Sequence, residues 1–198
     1  VLEDNMYICE EDTSGGGETV NLDDCLVYTS TDPKAYVFID GYIKRYLLPS
    51  SDHIYIGKGF KTLQFYKTPD TDGDTIYNQG LEKIDLSHLD TSTMTSMKNM
   101  FLSCSDLKEI IFGDNFNSSN VTDMDDCFGK CEKLTSINTS KINVSNVTTM
   151  QYCFANCTNL AALDLSSWDV SKLIYLGDLF KNCTNLQLIN MCPFTKSF

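Results

Sequence analysis

Apolar residues recur along the second half of the chain with a period of about 26 residues. Four segments superimpose on a central phenylalanine, and these phenylalanines are Phe101, Phe128, Phe154 and Phe180. A cysteine follows each phenylalanine after three residues and a leucine after six, at Cys104, Cys131, Cys157 and Cys183 and at Leu107, Leu134, Leu160 and Leu186. Because one copy of this length cannot bury its own apolar face, we expect stacked copies to share a core made of these residues.

Two patterns within each repeat predict two short elements. The stretch after the leucine, such as Leu134 to Thr139, has the inward-facing apolar residues of a short β-strand. Before each phenylalanine the apolar residues are three to four apart, as at Met94 and Met97, which predicts one or two helical turns. Thr148 and Gln151 have capping-box spacing at the start of this stretch. The predicted fold class is therefore a repeat solenoid with one short β-strand and one short helical segment per coil.

The chain divides into three predicted parts. Residues 1–30 form an acidic segment with a run of glycines, which is typical of flexible chain. Residues 31–80 form a β-rich N-terminal cap with a degenerate coil, and Asp40-Gly41 inside this cap is predicted to turn a β-hairpin. Residues 81–198 form the solenoid. Either MCPFTKSF at 191–198 closes the stack or the solenoid is truncated at its C-terminal end, and we expect truncation because Met191 and Phe194 look like apolar repeat positions with no polar cap after them.

The repeats resemble those of the BspA-type leucine-rich repeat surface proteins, whose consensus reads approximately L-D-L-S-x-W-D-T-S-N-V-T-x-M-x-x-M-F-x-x-C-x-x-L. The matching stretches are IDLSHLDTSTMTSMKNMFLSCSDL at 84–107 and LDLSSWDVSKLIYLGDLFKNCTNL at 163–186. The resemblance covers about residues 81–198 and implies a leucine-rich-repeat-like fold. It also implies a secreted or surface-attached protein that acts in adhesion or ligand binding, and not as an enzyme.

Composition and charge narrow the possible functions. Fifteen Lys and Arg against 27 Asp and Glu give a net charge of −12, which disfavours nucleic acid as a partner. No apolar run reaches eighteen residues, so we expect no membrane insertion by this segment. The chain has two histidines, His53 and His88. A cysteine nucleophile would need one of them as its base, and a metal site built from histidines would need more ligands than these two. We therefore expect no enzymatic activity and no cofactor.

The nine cysteines are predicted to be mainly core residues. Cys127 and Cys153 precede the repeat phenylalanine, where the other copies carry Met100 and Leu179, so this column is hydrophobic. A four-sulfur zinc site and disulfides between neighbouring repeats are the alternatives. Outside the repeats, Cys9 and Cys25 form a possible disulfide.

Three alternating carboxylates, Asp70, Asp72 and Asp74, are a weak candidate calcium site. An EF-hand loop that begins at Asp70 would need glycine and glutamate where this chain has Thr75 and Leu81. A solvated acidic loop is the preferred interpretation, and no metal site is predicted elsewhere.

The outward-facing positions of the predicted strands are the candidate ligand-binding residues. They form two columns of residues that differ between repeats: Glu109, Ser136, Ala162 and Leu188, and Ile111, Asn138, Asp164 and Asn190. We expect an extracellular or cell-surface adhesion module that binds a protein or glycan on a host or neighbouring cell. A structural spacer or assembly segment of a larger surface or virion protein is the alternative, and a calcium-stabilised interaction module is the second alternative.

Overall fold

The computed structural model describes residues 22–31, 35–41, 43–47, 50–65 and 80–191. These residues contain nine short strands and one 3-10 helix at Thr139–Lys141. The strands are β1 (Cys25–Ser30), β2 (Tyr36–Ile39), β3 (Ile43–Tyr46), β4 (Ser50–Tyr55), β5 (Leu63–Gln64), β6 (Leu81–Asp85), β7 (Glu109–Ile111), β8 (Ala162–Asp164) and β9 (Leu188–Asn190).

The strands form three small sheets. One has the order β4-β1-β6-β7, the second β3-β2-β5, and the third consists of β8 and β9. β1 pairs antiparallel with β4 and β6, whereas β6 pairs in parallel with β7, one repeat later. The first sheet therefore joins the N-terminal region to the first repeats, and the fully buried Leu26 and Ile84 lie in its strands.

The hairpin predicted at Asp40-Gly41 is confirmed. β2 and β3 are antiparallel, with Ile39 opposite Ile43, and both Asp40 and Gly41 have positive φ values, of 52° and 72°. Three residues separate the paired isoleucines, so the loop is one residue longer than a two-residue turn.

The predicted solenoid with a strand and a helical segment in each coil is wrong. The described residues contain no α-helix, and the stretch before each repeat phenylalanine is a series of hydrogen-bonded turns. In the first repeat the N–H of Met100 donates to the carbonyl of Met97, and the N–H of Cys104 donates to that of Phe101. Asn99 and Ser103 lie inside these turns with φ near 60°, in the left-handed region that interrupts a helix.

The turns explain why the apolar spacing resembles that of a helix. Each turn advances the chain by about three residues and returns one side chain to the core, so the period approaches that of an α-helix. The N–H groups between the turns donate to the next repeat instead of to their own. Parallel bridges accordingly link Ser96, Asp123, Thr149 and Tyr175 from one repeat to the next.

The capping-box prediction at Thr148 is also wrong, because no helix begins there. Its hydroxyl donates to the carbonyl of Thr122 in the preceding repeat, with the two oxygens 3.1 Å apart. The Asp and Asn residues that lie eleven positions before each phenylalanine stabilise turns. Their side-chain oxygens accept backbone N–H groups two residues later at 2.9–3.0 Å, in the pairs Asp90–Ser92, Asn117–Ser119, Asn143–Ser145 and Asp169–Ser171.

A strand does not form in every repeat either. The stretch Leu134 to Thr139 contains no strand and runs into the 3-10 helix, between the sheet of β7 and the sheet of β8 and β9. The carbonyl of Thr139 accepts the indole N–H of Trp168 at 3.2 Å, and the hydroxyl of Thr139 donates to the carbonyl of Asp164. These contacts hold the stretch after Leu134, in the second repeat, against the chain that follows the leucine of the third repeat, without a strand ladder.

Candidate binding surface

The repeat phenylalanines lie one above another in a single file. Ring centroids are 5.4 Å apart for Phe101 and Phe128, 5.2 Å for Phe128 and Phe154, and 5.7 Å for Phe154 and Phe180, and each pair is nearly parallel. The first three rings are buried, as are the cysteines and leucines of their repeats. In the last repeat Phe180, Cys183 and Leu186 are only half-buried. The predicted core residues therefore form one file whose final member is partly open.

Phe65 extends this file by one ring on the N-terminal side. Its centroid lies 5.6 Å from that of Phe101, and its carbonyl accepts the thiol of Cys104 at 3.9 Å. The position of Phe65 in the file was not predictable from the repeat, because 36 positions separate it from Phe101, against 26 or 27 between the other members. Residues 60–65 thus supply a degenerate layer before the first clear repeat.

The repeat cysteines are free thiols, of which Cys104, Cys131 and Cys157 are buried and Cys183 is half-buried. Cys131, Cys157 and Cys183 donate to the carbonyls of the preceding repeat phenylalanines, with sulfur-to-oxygen distances of 2.9–3.2 Å. Burial raises the pKa of Cys104, Cys127, Cys131 and Cys157 above the usual thiol value. The thiols of Cys131 and Cys157 bond to backbone carbonyls of the preceding repeat, and all four side chains pack in the core as small apolar groups.

The candidate ligand-binding columns lie largely on the surface. Seven of the eight residues are exposed, and Ile111 is half-buried. Glu109 forms an ion pair with Lys83 on the neighbouring strand, with Nζ and Oε2 3.1 Å apart. Because no strand forms around Ser136 and Asn138, the columns do not make one continuous sheet face.

The four candidates on β8 and β9 form a compact surface, which we call the β8–β9 patch (Ala162, Asp164, Leu188 and Asn190). Parallel register places Ala162 beside Leu188 and Asp164 beside Asn190, which gives one apolar row and one polar row. Leu188 is 65% exposed, the largest exposed fraction among the large apolar side chains described. Hydrogen bonds from Ser166 hold the pKa of Asp164 below its usual value, so this carboxylate is ionised at neutral pH.

A second exposed group of large side chains was not predicted. Ile174 and Tyr175 are 59% and 60% exposed, and Tyr152 lies one repeat earlier on the turn surface. The Lys181 ammonium lies 5.7 Å from the Tyr152 ring centroid and 2.9 Å from a carboxylate oxygen of Asp178. The signal was available in the sequence, since the other repeats have Thr at the Ile174 position and Ser, Asp or Thr at the Tyr175 position.

The remaining sequence candidates yield little chemistry. No group of three or more His, Cys, Asp or Glu side chains in the described ranges is arranged to hold a metal ion. Asp70, Asp72 and Asp74 lie outside those ranges, as does Cys9. Cys25 is disulfide-bonded. His53 lies beside Asp52, with Nδ1 and Oδ1 3.4 Å apart.

Comparison with known proteins identifies one family. The model of the family described as "Mycoplasma protein of unknown function, DUF285" matches residues 74–190, which is more than half of the chain. Searches of the curated proteins and of the solved structures give no significant match.

Within the portion of the chain that the structure describes, no helix has the length and apolar character needed to cross a membrane.

Proposed function

We propose that this chain, which belongs to the DUF285 family, is a non-enzymatic module that binds a protein or glycan at a cell surface. The single observation that carries the proposal is the β8–β9 patch. Its apolar row, Ala162 and Leu188, and its polar row, Asp164 and Asn190, are both exposed on adjacent strands.

The composition of the patch suits a reversible ligand. An exposed leucine offers apolar area that a partner can cover, which stabilises a complex by about 25 cal/mol per Å² of apolar surface removed from water. The ionised Asp164 accepts hydrogen bonds, and the Asn190 amide both donates and accepts them, so the neighbouring row supplies directional contacts. A rigid pair of strands on a packed repeat core presents these groups with little loss of entropy on binding.

The resemblance to BspA-type surface proteins supports extracellular or surface display, and with it adhesion as the role of binding. The same resemblance supports a role outside catalysis. The thiols of Cys104 and Cys157 are buried, and burial raises the pKa of both, which makes these two side chains poor nucleophiles at neutral pH.

Binding of the folded chain to arrays of extracellular-matrix proteins and glycans tests the proposal. We expect at least one ligand whose affinity falls about tenfold or more when Leu188→Asp removes the exposed apolar side chain. Ile174→Asp is the matched control, because it makes the same kind of change at an exposed site outside the patch and should leave affinity unchanged. If no array member binds, or if both variants bind like the parent chain, the spacer alternative replaces adhesion.

A further inference from the structure

Two of the thiols that the structure describes as free lie next to each other in the middle of the repeat stack. Cys127 and Cys153 occupy the same position, one residue before the repeat phenylalanine, in the second and third repeats. Both side chains are fully buried. Backbone hydrogen bonds join the first repeat to one side of this pair of repeats and the last repeat to the other, so both thiols lie in the interior of the described stack.

The backbone holds these two cysteines in register. The N–H of Phe128 donates to the carbonyl of Cys153 at 2.8 Å, across the boundary between the repeats. The N–H groups of Cys127 and Cys153 each donate to the carbonyl three residues earlier, both at 3.2 Å, so the two turns are alike. The adjoining rings, Phe128 and Phe154, are 5.2 Å apart, the shortest separation in the file. Disulfides join cysteines whose Cα atoms are about 4.4–6.8 Å apart, and one stacking distance lies within that range.

The contacts of the thiols single out this pair. Cys131 and Cys157 are also stacked, but each of their thiols donates to the carbonyl of the phenylalanine one repeat earlier, at 3.2 and 3.0 Å. Among the described residues the thiols of Cys127 and Cys153 have no such carbonyl acceptor. They contact each other instead, and burial together with the Cys153 thiol raises the pKa of Cys127. A bond between Cys127 and Cys153 therefore breaks no hydrogen bond to the backbone.

The boundary between the second and third repeats also lacks a strand ladder. β8 and β9 join the third repeat to the last, whereas the stretch 134–139 of the second repeat contains no strand. A backbone hydrogen bond from the N–H of Ala161 to the carbonyl of Thr135, at 3.2 Å, connects the start of that stretch to the third repeat. A covalent link here would add a connection where the ladder is interrupted.

We propose that Cys127 and Cys153 form a disulfide in an oxidising environment and that this bond locks the second repeat to the third. Cys25 is already disulfide-bonded, as fits a protein of an oxidising compartment. The bond between Cys127 and Cys153 does not depend on the β8–β9 patch or on what that patch binds.

The oxidant is a small disulfide of the glutathione type. The thiolate of one cysteine attacks it and releases one glutathione, and the thiolate of the second cysteine then displaces the other glutathione from the protein. Two protein thiols are thereby oxidised to one disulfide. Oxidised glutathione is reduced to two thiols, which take up the two protons that the cysteines lose.

Refolding in a glutathione buffer tests the pairing, because the buried thiols are accessible in the unfolded chain. The reduced 198-residue chain is diluted from urea into oxidised and reduced glutathione, at a ratio at which the disulfide of Cys25 forms. Remaining thiols are alkylated, and tandem mass spectrometry of the digest locates each bond. We expect Cys127 linked to Cys153 in most molecules, with Cys131 and Cys157 alkylated. Free thiols at Cys127 and Cys153, or an equal yield of a bond between Cys131 and Cys157, overturns the proposal.

Urea unfolding of oxidised and reduced chains measures the lock. A cross-link restricts the unfolded chain, so oxidation should raise the urea midpoint. Cys131→Ala is the matched control, because it removes a buried thiol outside the pair and should keep the full rise. Cys153→Ala should show a smaller rise, since it retains the Cys25 bond and loses the new one. Equal rises in these two variants contradict the lock. Should Cys153→Ala fail to fold, the location of the bond in the unaltered chain still decides the outcome.

Discussion

The thiol of Cys157 donates a hydrogen bond to the carbonyl oxygen of Phe128 in the repeat below, across 3.0 Å. The same carbonyl accepts the backbone N–H of Cys131 at 3.2 Å. The cysteine thus fills a space in the core and also uses the second lone pair of a buried carbonyl. An aliphatic side chain at this position would pack equally well but would not form the hydrogen bond. Cysteine provides both, which explains why it suits this position.

Phe154→Ala should destabilise the protein by about 3–5 kcal/mol, because it leaves a cavity between two repeats. The ring lies 5.2 Å from that of Phe128 and 5.7 Å from that of Phe180, so it has neighbours on both sides. Phe180→Ala should cost less than half as much, because Phe180 is half-buried and stacks on one side only among the described residues. Urea unfolding measures both, and equal losses would contradict the single file of rings.

Stability should fall as the pH rises above the ordinary thiol pKa of 9.0, because burial holds the folded-state pKa of Cys157 above that value. The sign follows from linkage: above about pH 9 the unfolded chain loses the thiol proton and the folded chain keeps it. Each buried thiol then contributes a loss of up to about 1.4 kcal/mol per pH unit. Below about pH 9 the thiol is protonated in both the folded and the unfolded chain, so its titration does not lower the stability.

Denaturant titrations of the parent chain and of Cys157→Ala measure this effect. The stability gap between them should narrow by about 1 kcal/mol from neutral pH to about pH 10. Leu160→Ala is the control, because this buried site has no titrating group. The difference in free energy of unfolding between this variant and the parent chain should stay constant over the same pH range. A Cys157→Ala gap that is likewise independent of pH would mean that the thiol is not held protonated.

Periodicity in the sequence was sufficient to find the core but not the backbone that builds it. Stacking requires like side chains at the same phase, so Phe101, Phe128 and Phe154 were identifiable from spacing alone. Apolar residues three or four apart are common to a helix and to successive turns, and the residues that decide between them are Asn99, Ser103 and their equivalents. Their φ values are left-handed in every repeat, and the spacing of apolar residues does not encode backbone torsion.

The exposed positions of the candidate surface were predictable from the sequence, but the break in its columns was not. Residues that flank an inward-facing leucine or isoleucine point outward wherever the chain is extended, so Ala162, Asp164, Leu188 and Asn190 were found. The gap at Ser136 was not found: the chain there runs into the 3-10 helix, and the carbonyl of Thr139 accepts the indole N–H of Trp168. Tertiary contacts of this kind override a local strand preference.

Gly113→Ala should be strongly destabilising, by about 1–3 kcal/mol, because the added methyl group has no room. A Cβ at Gly113 would lie against the Cβ of Ser87 and 2.5 Å from its Cα, so backbone would have to move. Gly177→Ala is the matched control, since its nearest contact would be Gln151 Oε1 at 3.8 Å, and we expect a change within about 0.5 kcal/mol. Thermal and urea unfolding of both variants test this, and similar losses would argue against the close approach at Ser87.

Lys130→Gly distinguishes turns from helix in the stretch around each repeat phenylalanine. Lys130 is exposed and has a φ of 59°, a conformation that costs a residue with a Cβ about 1 kcal/mol and costs glycine almost nothing. We therefore expect the variant to be as stable as the parent or more stable. In a helix the same substitution would lower stability by about 0.5–1 kcal/mol.

Glu132→Gly supplies the comparison for this experiment, because Glu132 is equally exposed on the surface and its φ is not positive. That change should lower the free energy of unfolding by about 0.5–1 kcal/mol through the greater entropy of the unfolded chain. The two parent residues differ in charge as well as in backbone region, so both variants are compared with the parent chain at high salt, where surface charge is screened. Opposite signs in urea unfolding under these conditions identify the left-handed turn. Matching losses at both positions would contradict the left-handed backbone conformation of Lys130.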